Sequence, residues 1–380
     1  MNPRQRFLET IRFGKPDKIP LNPGGPREST LRAWHAQGLP ETDENGVAIH
    51  WQPYLWQMLG IPIESNLPQP ALDVNFAMLP IFEEKVIEHR SGHWIVQDWM
   101  GAIVEISDVY DVSYLRYAKD FVTRDWHRFP VETRQDWEEK IQWRYDAHDP
   151  RRFPDDFAER CAQLQARQDV LNLTINGPFW QLREWCGFEK LCMLFMDEPA
   201  FVQEMINFWR DFVHQALERV LRHIQPDTVM ISEDMAYKLH SMISPRMARR
   251  FLLPVWQDWS ELLKAHGTAI MIDSDGYIGE LLPLFIEAGF EYTWPVEVAA
   301  GNDLLAFRRQ YGRQIAFGGG IDKRALAAGG SEMYAELARV APVIQEGGYL
   351  PGCDHGVPPD ITWPNFIEYT RRLAQLTGWL

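Results

Sequence analysis

The sequence predicts an α/β fold, specifically a (β/α)8 TIM barrel with an N-terminal helix and a hairpin excursion. From residue 169 onwards, short apolar runs alternate with turns rich in Gly, Pro, Asp or Glu and then with helical patterns. Repeated strand–helix units of this kind form parallel sheets. Six apolar runs fit this pattern: residues 170–175, 228–231, 268–272, 290–295, 314–317 and 348–350. Two further candidates near the N-terminus bring the count to eight, the number that closes a barrel.

The N-terminal part supplies those candidates and the excursion. Asn2 and Pro3 begin a helix that Gly14 ends, and residues 18–22 and 72–78 are the first two candidate strands. Alternation over residues 93–106 predicts the hairpin. An open doubly wound sheet is the rival fold, but no GxGxxG motif follows an early strand, so its nucleotide-binding version loses support.

Composition limits the classes of partner. The 380 residues contain 46% hydrophobic residues with no break in composition, so we expect one domain over residues 1–380. The formal charge of −15 argues against nucleic acid or an anionic membrane as the main partner. No signal core and no long uncharged apolar run occurs, which predicts a cytoplasmic protein. The four cysteines do not form a disulfide or zinc-knuckle pattern.

The residues just beyond the predicted strands are candidates for the site, because the carboxyl ends of barrel strands meet at one mouth. In strand order they are Arg27, Asp73 or Asn75, Arg183 with Glu184, Glu233 with Asp234, Asp273 with Asp275, Glu297, Asp322 with Lys323, and Cys353 with Asp354 and His355. Several carboxylates close together cannot all stay ionised without neutralisation. The mouth therefore calls for a metal, a cationic ligand or proton sharing.

Each candidate also has a purely structural interpretation. Glu233 and Asp234 could cap the helix that follows, and residues 273–276 could form an Asx turn. His355 could hold its own loop through a backbone hydrogen bond, and Cys353 could be a small buried residue. For Asp273 and Asp275, the alternative to a metal is a metal-free, hydrogen-bonded pair.

Two segments resemble the uroporphyrinogen decarboxylase superfamily, which also contains corrinoid-dependent methyltransferases. The more specific one spans residues 314–360, with Phe-Gly-Gly-Gly-Ile-Asp-Lys-Arg at 317–324 and Gly-Gly-Tyr-Leu-Pro-Gly-Cys-Asp-His-Gly-Val-Pro-Pro-Asp at 347–360. Residues 4–20 resemble the superfamily's first helix and strand. The resemblance implies a single (β/α)8 barrel with its active site at the C-terminal mouth, often in a homodimer.

Comparison with the decarboxylases implies roles for individual residues. Their arginine-rich first loop corresponds to residues 22–27, which contain only Arg27. Their acidic residue after strand two corresponds to Asp73, and their His-Gly after strand eight to His355-Gly356. Asp234 stands where they have a serine, and Glu184 and Trp185 lie near their tyrosine. A macrocycle with many carboxylates needs several cationic partners, so the single arginine departs from their pattern.

The methyltransferases imply a different site. They bind zinc through His-x-Cys after strand five and a cysteine after strand eight, and the matching positions here are Asp273, Asp275 and Cys353. Two ligands change from soft to hard, which argues against a thiol-activating zinc site and leaves a metal site of different character.

The leading hypothesis is a carboxy-lyase acting on a carboxylated small molecule, for which a tetrapyrrole-related compound is one candidate. Its catalytic candidates are Asp73, Asp234 and His355, and its substrate-binding candidates are Arg27, Arg183, Glu184, Trp185, Tyr237 and Glu297. The alternative is methyl transfer with a corrinoid protein as partner and a divalent metal, zinc or another, at Asp273, Asp275 and either Cys353 or His355. A third hypothesis is a non-catalytic barrel that binds a small ligand. We expect a homodimer.

Overall fold

The part of the chain before the parallel sheet combines helices with an antiparallel sheet. The computed structural model describes residues 1–64, 70–117 and 122–380. Four strands pair in chain order: β1 (Lys85–Arg90), β2 (His93–Gln97), β3 (Ile103–Ser107) and β4 (Asp125–Arg128). The helices of this part are α1 (Pro3–Ile11), α2 (Glu28–Ala36), α3 (Trp51–Leu59), α4 (Tyr114–Tyr117), α5 (Arg134–Asp136) and α6 (Phe157–Leu164). The predicted hairpin is confirmed as β2 and β3, and β1 and β4 extend it.

A parallel sheet of six strands forms the centre of the remaining chain. In the order β10-β9-β8-β7-β6-β5, its members are β5 (Asn172–Asn176), β6 (Thr228–Ser232), β7 (Ala269–Asp273), β8 (Tyr292–Val296), β9 (Ala316–Ile321) and β10 (Tyr349–Cys353). Each strand overlaps one of the six predicted apolar runs, which confirms them. Strands packed by helices on one side and by the barrel interior on the other are apolar along most of their length.

Helices connect and cover these strands. They are α7 (Pro178–Cys186), α8 (Phe188–Asp197), α9 (Pro199–Leu221), α10 (Pro245–Phe251), α11 (Leu253–Ala265), α12 (Leu282–Ala288), α13 (Leu304–Tyr311), α14 (Lys323–Ala328), α15 (Gly330–Glu346) and α16 (Trp363–Leu376). The break between α10 and α11 falls at Leu252, two residues before Pro254, which lacks an N–H donor. Within the described ranges, no helix has both the length and the apolar character needed to span a bilayer.

The first two predicted strands are wrong as regular strands. Residues 18–22 lie in a segment with prolines at 20, 23 and 26, and each proline removes a ladder donor. The segment nevertheless reaches β10, where the Cys353 N–H donates to the Pro23 carbonyl at 3.3 Å and Pro26 bridges Val357 in parallel.

The second segment, residues 72–78, lies near the opposite edge, and its residues 74–78 share a cavity wall with Thr174 of β5. Its carbonyl groups bind a side chain instead of a strand: Arg152 donates to Asn75 O at 2.9 Å and to Ala77 O at 2.7 Å. With these extended segments at both edges of the sheet, the chain has the order of a (β/α)8 barrel.

Helix α1 closes the N-terminal end of the barrel. Its Ile11 is buried with Ala269 and Met271 of β7 and Ala316 of β9, and Phe7 packs against the Tyr292 ring of β8 with centroids 6.5 Å apart. Because this end is filled, the opening lies at the carboxyl ends of the strands.

Candidate functional site

Three polar side chains form a row across the carboxyl ends of β5, β6 and β7. Asn176 pairs in register with Ser232, and Ser232 pairs with Asp273. The Ser232 hydroxyl donates to Asp273 Oδ2 at 3.2 Å. This row places Asp273 at the mouth, as the sequence predicted.

The environment of Asp273 favours its protonated form. Burial, followed by the nearby charges of Asp275 and Asp234, raises its pKa to about 7, although the Ser232 hydrogen bond and His355 act in the opposite direction. Both protonation states are therefore populated near neutral pH.

Asp275 and His355 meet across the mouth from the exits of β7 and β10. Asp275 Oδ2 and His355 Nε2 are 3.0 Å apart. This hydrogen bond raises the pKa of His355 above its ordinary value, against the opposing effect of burial. The contact confirms that side chains from these two strand ends reach each other. It also supports the metal-free pairing for Asp275, with His355 rather than Asp273 as the partner.

Two cationic side chains at the mouth are already paired. Arg183 donates to the Asp234 carboxylate at 2.9 Å and to its carbonyl at 3.0 Å, and its guanidinium lies 4.5 Å from the centre of the Trp180 ring. Lys323 Nζ lies 2.8 Å from Glu297 Oε1. The Arg183 contacts hold Asp234 at a φ of 39°, a left-handed conformation that is uncommon outside glycine.

Arg27 lies beside the loop that carries His355. It occupies the N-cap position of α2, and its backbone N–H donates to the Val357 carbonyl at 3.2 Å. A Cβ at Gly356 would stand 3.7 Å from Arg27 Nε, an ordinary contact distance, so the Arg27 side chain lies directly beside Gly356. The structure thus places Arg27 next to the His-Gly pair.

A cavity of about 330 Å³ adjoins the row at Asn176. Its walls come from residues 74–78, β5, α7 and α9, and from the turn between β2 and β3; they include Thr174, Asn176, Gln181, Glu184, Tyr145, Trp99 and Trp209. The sequence predicted Glu184 for the site, but it did not predict that the hairpin would contribute.

The hairpin turn brings Trp99 to this cavity. Asp98, buried in the turn, accepts hydrogen bonds from the N–H groups of Met100 and Ala102, each at 2.9 Å. These bonds fix a tight turn, and Trp99 lies within it, directly after Asp98. A tryptophan at the tip of a hairpin, where a polar turn residue is usual, was the available sequence signal.

The Glu184 carboxyl group lies in the cavity wall and accepts three hydrogen bonds. Trp180 Nε1 donates to Oε1 at 2.7 Å, and Gln181 Nε2 and Asn176 Nδ2 donate to Oε2 at 3.2 and 3.3 Å. Burial, the largest influence, raises its pKa to about 7.

Three predicted residues occupy other settings. Asp73 forms an ion pair with Arg160 at 2.6 Å, and its side chain is 59% exposed. Trp185 is fully buried in the core, where its Nε1 donates to the Tyr145 hydroxyl at 3.3 Å; it is a packing residue, not a surface for substrate. Tyr237 is 73% exposed on the loop after β6.

Glu233 stabilises a helix, but not the helix that follows it. Its Oε2 accepts from the N–H groups of Phe179 and Trp180 at the start of α7, at 3.0 and 3.1 Å. Its Oε1 accepts from Trp256 Nε1 at 2.8 Å. Burial raises the pKa of this carboxyl group to about 8.

The predicted metal ligands do not assemble. In the part of the chain that the structure describes, no group of three or more His, Cys, Asp or Glu side chains is arranged to hold a metal ion. The Cys353 thiol is buried, and burial raises its pKa to about 12, so it carries its proton at neutral pH. At the other two positions of the methyltransferase zinc site, where those enzymes have His and Cys, this chain has Asp273 and Asp275, so the residues present do not match that site.

Comparisons with known proteins agree with this architecture. A family model described as "Uroporphyrinogen decarboxylase (URO-D)" matches residues 171–372, more than half of the chain. No curated protein matches the chain. Among solved structures, a methyltransferase from Methanosarcina mazei superposes with a TM-score of 0.57 at 13% identity, covering 100% of this chain and 98% of that chain. At this identity the likeness shows the fold alone.

Proposed function

We propose that this chain, which belongs to the uroporphyrinogen decarboxylase family, is an enzyme. It would remove a carboxyl group from a small molecule bound at the barrel mouth. Asp273 would be the proton donor. The observation that carries this proposal is the contrast between Asp273, whose pKa is raised to about 7, and Asp275, which pairs with His355. Carboxyl groups held in such different environments are the usual basis of acid–base assignments.

The proposed reaction balances with the residues present. The bond between the substrate carbon and its carboxylate breaks, carbon dioxide leaves, and the electron pair remains on the carbon. Protonated Asp273 then donates its proton to that carbon and becomes a carboxylate, which regains a proton from solvent. Its raised pKa keeps a large protonated fraction available near neutral pH.

The arrangement of cations favours a substrate with few carboxylates. Arg183 and Lys323 are already paired with Asp234 and Glu297. We assign Arg27 to the substrate carboxylate, through a charge-assisted hydrogen bond, because its position beside Gly356 and Val357 places it at the His355 loop. A single arginine suits a small carboxylic acid better than a macrocycle that carries many acid groups.

The test is carbon dioxide release from uroporphyrinogen and from a panel of small aromatic and heteroaromatic acids. Asp273→Asn keeps the size of the side chain but removes the donor acid, so we expect at least a 100-fold loss of kcat, in line with general acid catalysis. Asp155→Asn, at an exposed position, is the matched control and should act like the parent. Undiminished turnover by Asp273→Asn would refute the role of Asp273.

The same protein can be tested for methyl transfer, the alternative reaction. Incubation with methylcobalamin and candidate methyl acceptors would change the corrinoid absorbance if the methyl group leaves cobalt. Corrinoid demethylation without carbon dioxide release from any acid of the panel would overturn the carboxy-lyase proposal.

A further inference from the structure

The charge of Glu184 is hydrogen-bonded but not neutralised. Its three donors, Trp180, Gln181 and Asn176, are all neutral. Among ion pairs between described residues none includes Glu184, because the neighbouring Arg183 turns to Asp234 instead. A carboxylate offers about four acceptor positions, so at least one remains for a group inside the cavity.

The rest of the cavity wall includes four aromatic side chains. Phe76, Trp99, Tyr145 and Trp209 line it. The Trp209 N–H is bonded to the Asn176 carbonyl at 2.9 Å, and the Tyr145 hydroxyl accepts from Trp185 and Gln181. The polar atoms of these two rings are thus used within the protein, and both rings are buried. Phe76 and Trp99 are partly exposed, and they supply the aromatic surface for a ligand. One carboxylate among aromatic rings is the chemistry that recognises an ammonium group.

We propose that this cavity is an amine subsite: it binds a protonated, basic nitrogen against Glu184, with the aromatic side chains around it. An ammonium group provides the positive charge that the three neutral donors of Glu184 lack, and it can donate to the remaining acceptor position. A neutral ligand of the same shape would leave the carboxylate uncompensated in a poorly solvated place.

The subsite also defines the substrate class, a step that rests on the proposed function. Asn176 bonds Glu184 and begins the row that continues through Ser232 to Asp273. Neighbouring strands lie about 4.8 Å apart, so β5 and β7 are about 10 Å apart at this level. The substrate is therefore an amine that carries its carboxyl group within about 10 Å of the basic nitrogen.

Isothermal titration calorimetry tests the subsite without any turnover. The probes are benzylammonium and phenethylammonium ions, each compared with the neutral alcohol of the same shape. At pH 8 we expect the parent protein to bind at least one ammonium ion at least tenfold more tightly than its alcohol. Equal affinities, or no binding of either ammonium ion, would overturn the proposal, and this comparison requires no variant.

Variants locate the effect. Glu184→Gln should abolish the preference for the amine, whereas Glu189→Gln, at an exposed position on α8, should keep it. An unchanged preference in Glu184→Gln would also overturn the proposal. Proton release provides a further check: at pH 7 an ammonium ion should expel the proton from Glu184, so the apparent enthalpy should depend on the ionisation enthalpy of the buffer.

The two proposals fail separately. Amine preference without carbon dioxide release from any acid would leave the subsite standing and refute the carboxy-lyase. Carbon dioxide release by a protein that binds the amine and the alcohol equally well would support the carboxy-lyase and overturn the amine subsite.

Discussion

Replacing Asp273 with asparagine should stabilise the protein at alkaline pH while it removes the proposed proton donor. In the folded state burial raises the pKa of Asp273 from 3.8 to about 7. The folded protein therefore holds this proton more tightly than the unfolded chain. Stability falls as the pH rises from about 3.8 towards 7 and levels off above 7, because ionisation then occurs in both states.

The size of this effect follows from the interval between the two pKa values. At 1.36 kcal/mol per pKa unit, the interval from 3.8 to about 7 corresponds to about 4 kcal/mol at pH 8. Asp273 is partly exposed at the mouth, and solvent screening reduces the effect to about 1–3 kcal/mol. Asparagine has no charge to bury, so Asp273→Asn should exceed the parent in unfolding free energy by this amount at pH 8.

Urea denaturation followed by tryptophan fluorescence measures the difference. The gain of Asp273→Asn should shrink at pH 4.5, because ionisation of the parent side chain then costs much less on folding. Asp155→Asn, at an exposed position, should match the parent at both pH values. If the Asp273→Asn gain were absent at pH 8, or equal at both pH values, burial of an ionised Asp273 would not limit stability.

Two further predictions concern the other side of the mouth. Arg27→Ala should weaken binding of a carboxylated ligand by about 1.5–3 kcal/mol, the value of a hydrogen bond to a charged group, with a melting temperature near that of the parent; equal affinity in calorimetry would count against it. Asp275→Asn should lower the pKa of His355, because it removes the carboxylate that raises it; NMR titration of the imidazole C–H signals measures this, and an unchanged His355 pKa would contradict the pairing.

The strands that the sequence predicted correctly share a physical basis. Parallel strands are covered on both faces, so β5 to β10 appear as short apolar runs between turn residues. The segments at residues 18–22 and 72–78 have similar composition, but prolines remove donors from the first and Arg152 binds carbonyls of the second. A contact with a residue 75 or more positions away is not visible in local periodicity.

The candidate site also combines residues that the sequence could predict with contacts that it could not. Strand exits are local features, which is why Asp273, Asp275 and His355 could be predicted for the mouth. The partner of each side chain depends on packing between distant elements. The sequence alone therefore could not predict that Glu233 caps the neighbouring helix α7 or that the hairpin brings Trp99 to the cavity.

Charge compensation shows where a ligand is needed. Within the described part of the mouth and cavity, several carboxylates pair with cationic or ionisable partners, among them Asp234 with Arg183, Glu297 with Lys323, and Asp275 with His355. Asp273 and Glu184 instead accept hydrogen bonds from neutral side chains, and burial raises the pKa of each to about 7. Buried carboxyl groups without a cationic partner reduce the stability of the fold, and a loss of stability of this kind is typical of functional sites. A substrate that brings a reacting carbon to Asp273 and a basic nitrogen to Glu184 would use both groups at once.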